Sequence, residues 1–573
     1  MKIRRAVAVG ALSEFNVNRW RKTLRLWPWL AAVASGLLCT GCFAPFDQAW
    51  LCWIALTPLI AAIWFSGENS RRRWLRNLLL GYVAGLTFFW TVFSWLITVT
   101  ALGWFVLQFY LAIYFALWGL FCGLMRPRET VAEPAADKWN KMLARAGKAA
   151  PASTVPWLRS TNNLGLAFLV AAGWTTFEWL RGWVFSGWNW NDLGVALHAD
   201  WPIIQIAEFT GAAGLSFVVA FGNVIAVTST RRLILEVRLH RMRPHYDLTF
   251  TMAAVVGLLV FGMHIAQIKQ PSRPLHVATV QANIPREEKF DRQFASLIYD
   301  RYTRLTDIAL HSNPPPELLI WPESAMPGPV LLDEESNRFV MDVAASTKTD
   351  LLLGSVHVEG DRAYNAALLI SQGGQSVQIY RKVHLVPFGE YVPGRQWVPL
   401  LARIVGDQVP GDFDVGKDYT VFRLSRGDVQ VAPLICFEDT IGDLTREFVL
   451  GGANLLANVT NDGWFRKSAG SQQHLATAIF RCVETRRPMV RAANTGVTCF
   501  VNQFGHVTQI LQDETGSTFT EGVLTGDIDV PVERQLTFYV RHGELFAKLC
   551  ACVTLLAFLV SLLVIRGGSA QLE

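Results

Sequence analysis

Apolar positions along this chain follow two different rhythms. Before residue 268 and after 544 they form long, almost uncharged runs at 26–43, 49–65, 78–98, 103–125, 164–180, 203–227, 248–266 and 545–565. Most approach the ~20 residues that a helix needs to cross the hydrocarbon core. The pattern predicts eight membrane-spanning helices. Between these regions the rhythm shortens to β-branched runs at 275–281, 318–321, 351–356, 366–370, 429–436 and 454–459, which read as buried strands. Polar-apolar helical stretches at 291–311, 335–347 and 471–484 separate some of them. The run at 366–370 followed closely by 376–380 reads as a hairpin and predicts a mixed sheet. The expected organisation is a membrane domain over 1–267 with seven spans, an extramembrane α/β domain over 268–540, and a last span with a short tail over 541–573.

Composition agrees with a chain that is mostly membrane and core. Hydrophobic residues make up 51% of 573 and there are 22 Trp, more than one soluble domain normally carries. The net charge of +6 changes the picture only through its placement. Lys and Arg number 7, 4, 7 and 5 in the alternate connections 1–25, 66–77, 126–163 and 228–247, whereas the other connections hold only Arg181. Basic residues stay on the cytoplasmic side, so both termini are expected there and 268–544 on the opposite face. Basic clusters that flank spans, with no recognition motif beside them, give no nucleic-acid footprint. The connection 126–163 reads as a loop with one short helix near 138–146.

Nine cysteines do not form a disulfide framework. Six lie in predicted spans, where thiols behave as small apolar residues. Leu38-Cys39-Thr40-Gly41-Cys42, after a basic stretch, imitates a lipidation signal, but the next span follows almost at once and a retained first helix is the better reading. Cys436, Cys482 and Cys499 fall in the polar domain without metal-ligand spacing, and a Cys482–Cys499 bridge stays open.

Three short segments carry candidate chemistry. Trp321-Pro322-Glu323-Ser324-Ala325-Met326-Pro327 puts a carboxylate just past a strand, in a turn that two prolines constrain. Residues 380–393 present Lys382 and Glu390 on a rigid loop. Cys436 ends a buried strand where a helix begins, and backbone N–H groups at such a junction can lower a thiol pKa and bind an oxyanion. Taken singly, each is an ordinary turn, surface or core residue. Their order, Glu then Lys then Cys, is far more specific.

That order, with Gln281-Ala282-Asn283-Ile284-Pro285, the 384–393 segment, Asn461-Asp462-Gly463-Trp464-Phe465 and the loop stretch 178–187, resembles a known pattern. The domain from about 275 to 530 resembles the nitrilase, or carbon-nitrogen hydrolase, superfamily, whose fold is an αββα sandwich. The whole chain is similar to the bacterial apolipoprotein N-acyltransferases of the inner membrane. The resemblance implies Glu323 as proton acceptor, Lys382 as oxyanion stabiliser and Cys436 as nucleophile, with Glu390 and Glu438 in support. It implies a thioester intermediate and ping-pong transfer. The acyl donor would be a phospholipid, typically phosphatidylethanolamine, and the acceptor the diacylglyceryl-modified N-terminal Cys of apolipoproteins. No metal or dissociable cofactor is expected, and the catalytic domain would be periplasmic. The alternative is a membrane-tethered amidase or hydrolase of nitrilase type. Phe437 departs from the Tyr often found beside the nucleophile.

Two acids in the membrane half, Glu178 and Glu208, predict a polar cavity or a paired charge there. Trp183, Trp188, Trp190 and Trp201 fit an interfacial belt or a wall for acyl chains, and most of them read as the belt. Residues 406–416, punctuated by Gly and Asp, read as a mobile loop near the entrance.

Overall fold

The computed structural model describes residues 17–67, 70–127, 154–238, 240, 242–289, 291–393, 395 and 411–569. The loop helix expected at 138–146 lies outside them. The membrane half is built from α1 (Val17–Gly41), α2 (Thr57–Phe65), α3 (Arg73–Val92), α4 (Ala101–Leu124), α5 (Thr154–Arg181), α6 (Ala212–Arg238) and α7 (Tyr246–Ile265). Among the described residues, five helices are long and apolar enough to cross a membrane: α3, α4, α6, α7 and the stretch Leu545–Val564 near the C-terminus.

Three expected spans are not single straight helices, the run at 78–98 ending its helix at Val92 before a 3₁₀ turn, Ser94–Thr98. The run at 49–65 divides into a 3₁₀ turn, Ala49–Trp53, and the nine-residue α2, which begins with Pro58 in its first turn. The run at 203–227 breaks at Gly211, whose φ of +65° belongs to the left-handed region. α6 therefore starts at Ala212, and a carboxylate from the polar domain caps it: Ala212 N donates to Glu484 Oε1 at 3.0 Å.

The intervening domain is two six-stranded sheets. The first contains β1 (Ser272–Gln281), β2 (Leu318–Ile320), β3 (Asp350–Glu359), β4 (Arg362–Ile370), β5 (Val377–Arg381) and β12 (Gly522–Pro531), in the order β12-β1-β2-β3-β4-β5. The second contains β6 (Phe422–Arg423), β7 (Gln430–Ile435), β8 (Leu455–Thr460), β9 (Met489–Ala493), β10 (Cys499–Val501) and β11 (Val507–Ile510), in the order β11-β10-β9-β8-β7-β6. Both are mixed, with parallel centres such as β1-β2-β3 and β7-β8-β9 and antiparallel flanks, and the expected hairpin is β4-β5.

Strand alternation builds the layers. Leu319, Leu351, Leu353 and Leu368 face a core shared with α8 (Ala295–Leu310) and α9 (Glu334–Ser346). Their neighbours Leu318, Ile320, Leu352 and Leu369 join a second core with Val431, Leu434 and Leu455 of the other sheet. α10 (Gly442–Leu450) and α11 (Gly470–Thr485) cover that sheet, giving an αββα order. β12 runs antiparallel beside β1 over the full ten residues, and Val532 N donates to Pro271 O. The chain thus enters and leaves this domain at one place, so it fits between α7 and the last helix, α12 (Leu545–Ser569), without disturbing either.

α11 joins the two halves. The sequence predicts an amphipathic helix there, yet 14 of its 16 residues are buried, because sheet and membrane half cover opposite faces. Gln473 binds both sides: its Oε1 accepts from Trp95 Nε1 and Asn191 Nδ2, each at 2.9 Å, and its Nε2 donates to Ala44 O at 2.7 Å. Leaving such buried groups unpaired would cost about 1–3 kcal/mol each.

Candidate active site

The two candidate ions on the first sheet leave from the ends of β2 and β5, which β3 and β4 separate. Glu323 follows β2 in a turn strapped to β3: Gly354 N donates to Pro322 O at 3.1 Å and Ala325 N to Gly354 O at 3.0 Å. A Cβ at position 354 would stand 2.5 Å from Glu323 Cα, so the approach requires glycine. Lys382 follows β5 and is 1% exposed. Its N–H donates to Asn365 O, and its carbonyl accepts from Gly416 N, both at 2.8 Å. The 411–416 end of the expected mobile loop is therefore anchored on Lys382, while residues 406–410 lie outside the described ones.

Charges then pair in a fixed order. Lys382 Nζ stands 2.8 Å from Glu390 Oε2, which also accepts from Val386 N at 2.8 Å. Asn365 Nδ2 donates to Glu390 Oε1 at 2.6 Å and to Glu323 Oε1 at 2.8 Å, spacing the two carboxylates. Glu323 Oε2 has no hydrogen-bond partner among the described residues, which leaves it available to take a proton. Burial pushes the Glu323 carboxyl above its ordinary range, with Lys382 opposing and Glu390 adding to the rise. Burial alone would depress Lys382, but Glu390, with Cys436, Glu323 and Glu438, holds its pKa above the ordinary value.

Cys436 directly follows β7 of the opposing sheet and opens a 3₁₀ turn with φ +53°, a strained setting for a residue with a Cβ. Asn458 Nδ2 holds its carbonyl at 3.0 Å. The thiol stands within electrostatic range of both Glu323 and Lys382. Contrary to the expectation from its place at a strand-helix junction, its pKa is not lowered. Burial pushes the thiol up, the Glu323 charge adds to this, and Lys382 opposes it without prevailing. A base is needed to remove that proton.

Glu438 is no solvated cap. It is fully buried, and its Oε1 accepts from Tyr380 OH (2.8 Å), Val383 N (2.9 Å) and His384 N (3.1 Å), while Oε2 accepts from Ile435 N (2.9 Å). One carboxylate thus ties the loop after Lys382 to the strand end before Cys436. Burial pushes its pKa up to about 7, against Lys382 and these donors.

Sequence reasoning missed Asn365, Gly354 and Lys289. The buried Lys289 donates to the Glu323 carbonyl at 2.7 Å, and burial pulls its pKa down to about 8. No local pattern marks these residues, because their meaning depends on strand adjacency. The four tryptophans divide between belt and wall. Trp183 and Trp201 are exposed, but Trp190 is buried and stacks on Phe437 (5.8 Å, 20°) and on His474 (5.1 Å), with Trp188 beside it at 6.2 Å from Phe437. A loop of the membrane half therefore walls the turn at Cys436, and the aromatic ring that Phe437 retains is its contact. Of the two membrane-half acids, Glu208 pairs with Arg486 at 2.5 Å, and Glu178 accepts from Leu193 N at 2.8 Å while lining a small polar cavity with Arg481, Glu484 and Glu544. Cys482 and Cys499 are both free, buried thiols.

Family comparisons agree with both halves. Residues 276–537 match the carbon-nitrogen hydrolase family, and residues 35–225 match the apolipoprotein N-acyltransferase N-terminal domain. Apolipoprotein N-acyltransferase of Geobacter metallireducens is 31% identical over 92% of this chain and 95% of its own length. That of Bradyrhizobium diazoefficiens is 28% identical over 93% and 95%. A nitrilase-superfamily structure from Saccharomyces cerevisiae aligns with 45% of this chain and 90% of its own at 16% identity and a TM-score of 0.35. With a relative of this identity aligned over nearly its whole length and both domain types matched in order, the chain belongs to the apolipoprotein N-acyltransferase family, a family of membrane acyltransferases.

Proposed function

We propose that this protein transfers a fatty acyl chain from a phospholipid, typically phosphatidylethanolamine, to the α-amine of a diacylglyceryl-modified N-terminal Cys on apolipoproteins. Glu323 Oε2 takes the Cys436 thiol proton as Sγ attacks the ester carbonyl, and the Lys382 ammonium stabilises the tetrahedral oxyanion. Collapse expels the lysophospholipid alkoxide, which receives the proton from Glu323, and leaves a Cys436 thioester. The neutral α-amine then attacks that thioester and gives its proton to Glu323. The expelled thiolate takes the proton back, so the enzyme returns to its starting state after two displacements. The chemistry calls for no metal or dissociable cofactor.

The observation that carries this reading over hydrolysis is the wall that Trp188 and Trp190 of the membrane half form against Phe437, next to Cys436. A thioester survives long enough for aminolysis only where water is excluded, and an aromatic wall continuous with the membrane half supports that. The distribution of Lys and Arg supports eight spans, cytoplasmic termini and a periplasmic catalytic domain in the inner membrane. On this reading the domains are 1–267, 268–540 and 541–573.

Purified enzyme given phospholipid alone should accumulate acyl-Cys436, seen as a mass increase on that peptide. Adding a diacylated lipopeptide should discharge it into an N-acylated product. Free fatty acid at the same rate with or without lipopeptide would instead identify a hydrolase. Cys436→Ser should form no acyl-enzyme, and substantial transfer by that variant would remove Cys436 as nucleophile.

A further inference from the structure

Lys289 closes the one-turn helix Arg286–Lys289 after β1 and is 1% exposed. Lysine is rarely buried so fully unless it is paired. Among the described residues it has no carboxylate within ion-pair distance, and its ammonium makes one hydrogen bond, 2.7 Å to the backbone carbonyl of Glu323. Two of its three N–H donors stay unspent. An ammonium held dry on one carbonyl is an expensive way to fix a loop.

The surrounding charges explain it better. Glu323 faces Lys382 from the end of β5, Glu390 from the loop beyond it, Asn365 from β4, Cys436 from the end of β7, and Lys289. With Glu438, three buried carboxylates share this volume, and Lys382 is already bonded to Glu390. Lys289 is the second cation, and it stands against Glu323.

We infer that Lys289 is a positioning residue for the reaction: clamped to the Glu323 backbone, its ammonium keeps the adjacent carboxylate ionised and aimed, ready to accept the Cys436 proton. Burial lowers the Lys289 pKa to about 8 with the Glu323 charge opposing, and Lys289 in turn joins Lys382, the larger influence, in opposing the rise at Glu323. The inference rests on Glu323 acting as the base for Cys436.

The test is the pH dependence of Cys436 alkylation by iodoacetamide in the full-length, detergent-solubilised protein, followed on the Cys436 peptide by mass spectrometry. Alkylation needs neither lipid substrate, so its outcome is separate from that of acyl transfer. Disappearance of the acid limb in Glu323→Gln assigns that limb to Glu323, and its persistence would overturn the base reading and this inference with it. Lys289→Gln should move the limb upward by about one pH unit, the shift expected on removing a nearby opposite charge. Its rate should be roughly tenfold lower on the acid side and converge with wild type at high pH. Lys289→Arg should restore the limb. A profile that superimposes on wild type, or one lowered by the same factor at every pH, would overturn the inference, the second outcome marking a role in folding only. Should Lys289→Gln not fold, wild type against Lys289→Arg decides. Only the wild-type profile should bend near pH 8, where lysine but not arginine loses its proton, and identical profiles would overturn the proposal.

Discussion

Lys382 Nζ stands 2.8 Å from Glu390 Oε2, eight residues along the same loop, with side-chain exposures of 1% and 11%. The sequence places both on one loop, but the contact sets the charge of the candidate oxyanion stabiliser. Glu390→Gln keeps the shape and removes the counter-charge. Breaking such a buried pair costs about 3–5 kcal/mol, so the variant should unfold at a clearly lower temperature. Because Glu390 is the main group raising the Lys382 pKa, the lysine should lose its proton at lower pH without it. The alkaline limb of single-turnover acylation should shift to lower pH, and an unmoved limb would contradict the electrostatic role.

Glu323→Gln should prevent acyl-enzyme formation and also stabilise the fold at neutral pH. The folded pKa of Glu323 lies above its ordinary value of 4.5. Its contribution to stability is therefore present below that value and lost as pH rises through the folded pKa. A neutral amide escapes this loss, so the melting temperature should rise relative to wild type at pH 7 and the gain should vanish near pH 4. Thermal unfolding at the two pH values checks the sign.

Lys382→Met should slow acylation by about 10²- to 10³-fold, the usual cost of losing a donor to a developing oxyanion. Lys382→Arg should recover little, since a planar guanidinium does not fit a site closed around a compact ammonium. Single-turnover acylation by both variants is the measurement. Near-normal rates would leave Lys382 as a structural cation.

Trp190 and Phe437 should be energetically coupled across the two halves of the molecule. Stacked rings of this kind contribute about 0.5–1.5 kcal/mol beyond buried area. A double-mutant cycle with Trp190→Ala and Phe437→Ala, read on acylation rate, should show a coupling of that size. Strict additivity would mean that the wall and the Cys436 turn act independently.

Much of the extramembrane fold was legible because its signals are local. The strands expected at 275–281, 351–356 and 429–436 appear as β1, β3 and β7, since a buried strand announces itself through a short β-branched run. Glu323, Lys382 and Cys436 stood out because strand ends and proline-bounded turns mark them. The helix breaks at 54–56 and at Gly211 were legible only as Pro or Gly interruptions of apolar runs, because such a residue does not reveal whether the chain bends there around a neighbour. The place of Trp190 was not legible, since its ring reads the same in an interfacial belt as in a wall.

The sequence by itself determined the alternation of apolar runs and short strands, the sidedness of Lys and Arg, and the order of Glu323, Lys382 and Cys436. Each of these resides in residue type and spacing along one segment. Only the tertiary structure decided that Asn365 separates two carboxylates, that Glu438 ties the Lys382 loop to the strand before Cys436, that Lys289 holds Glu323, and that the thiol pKa is raised. Those relations join residues from different strands. They exist because two sheets close on each other and exclude water, and burial and Coulomb interaction at a few ångströms have no signature in a linear pattern.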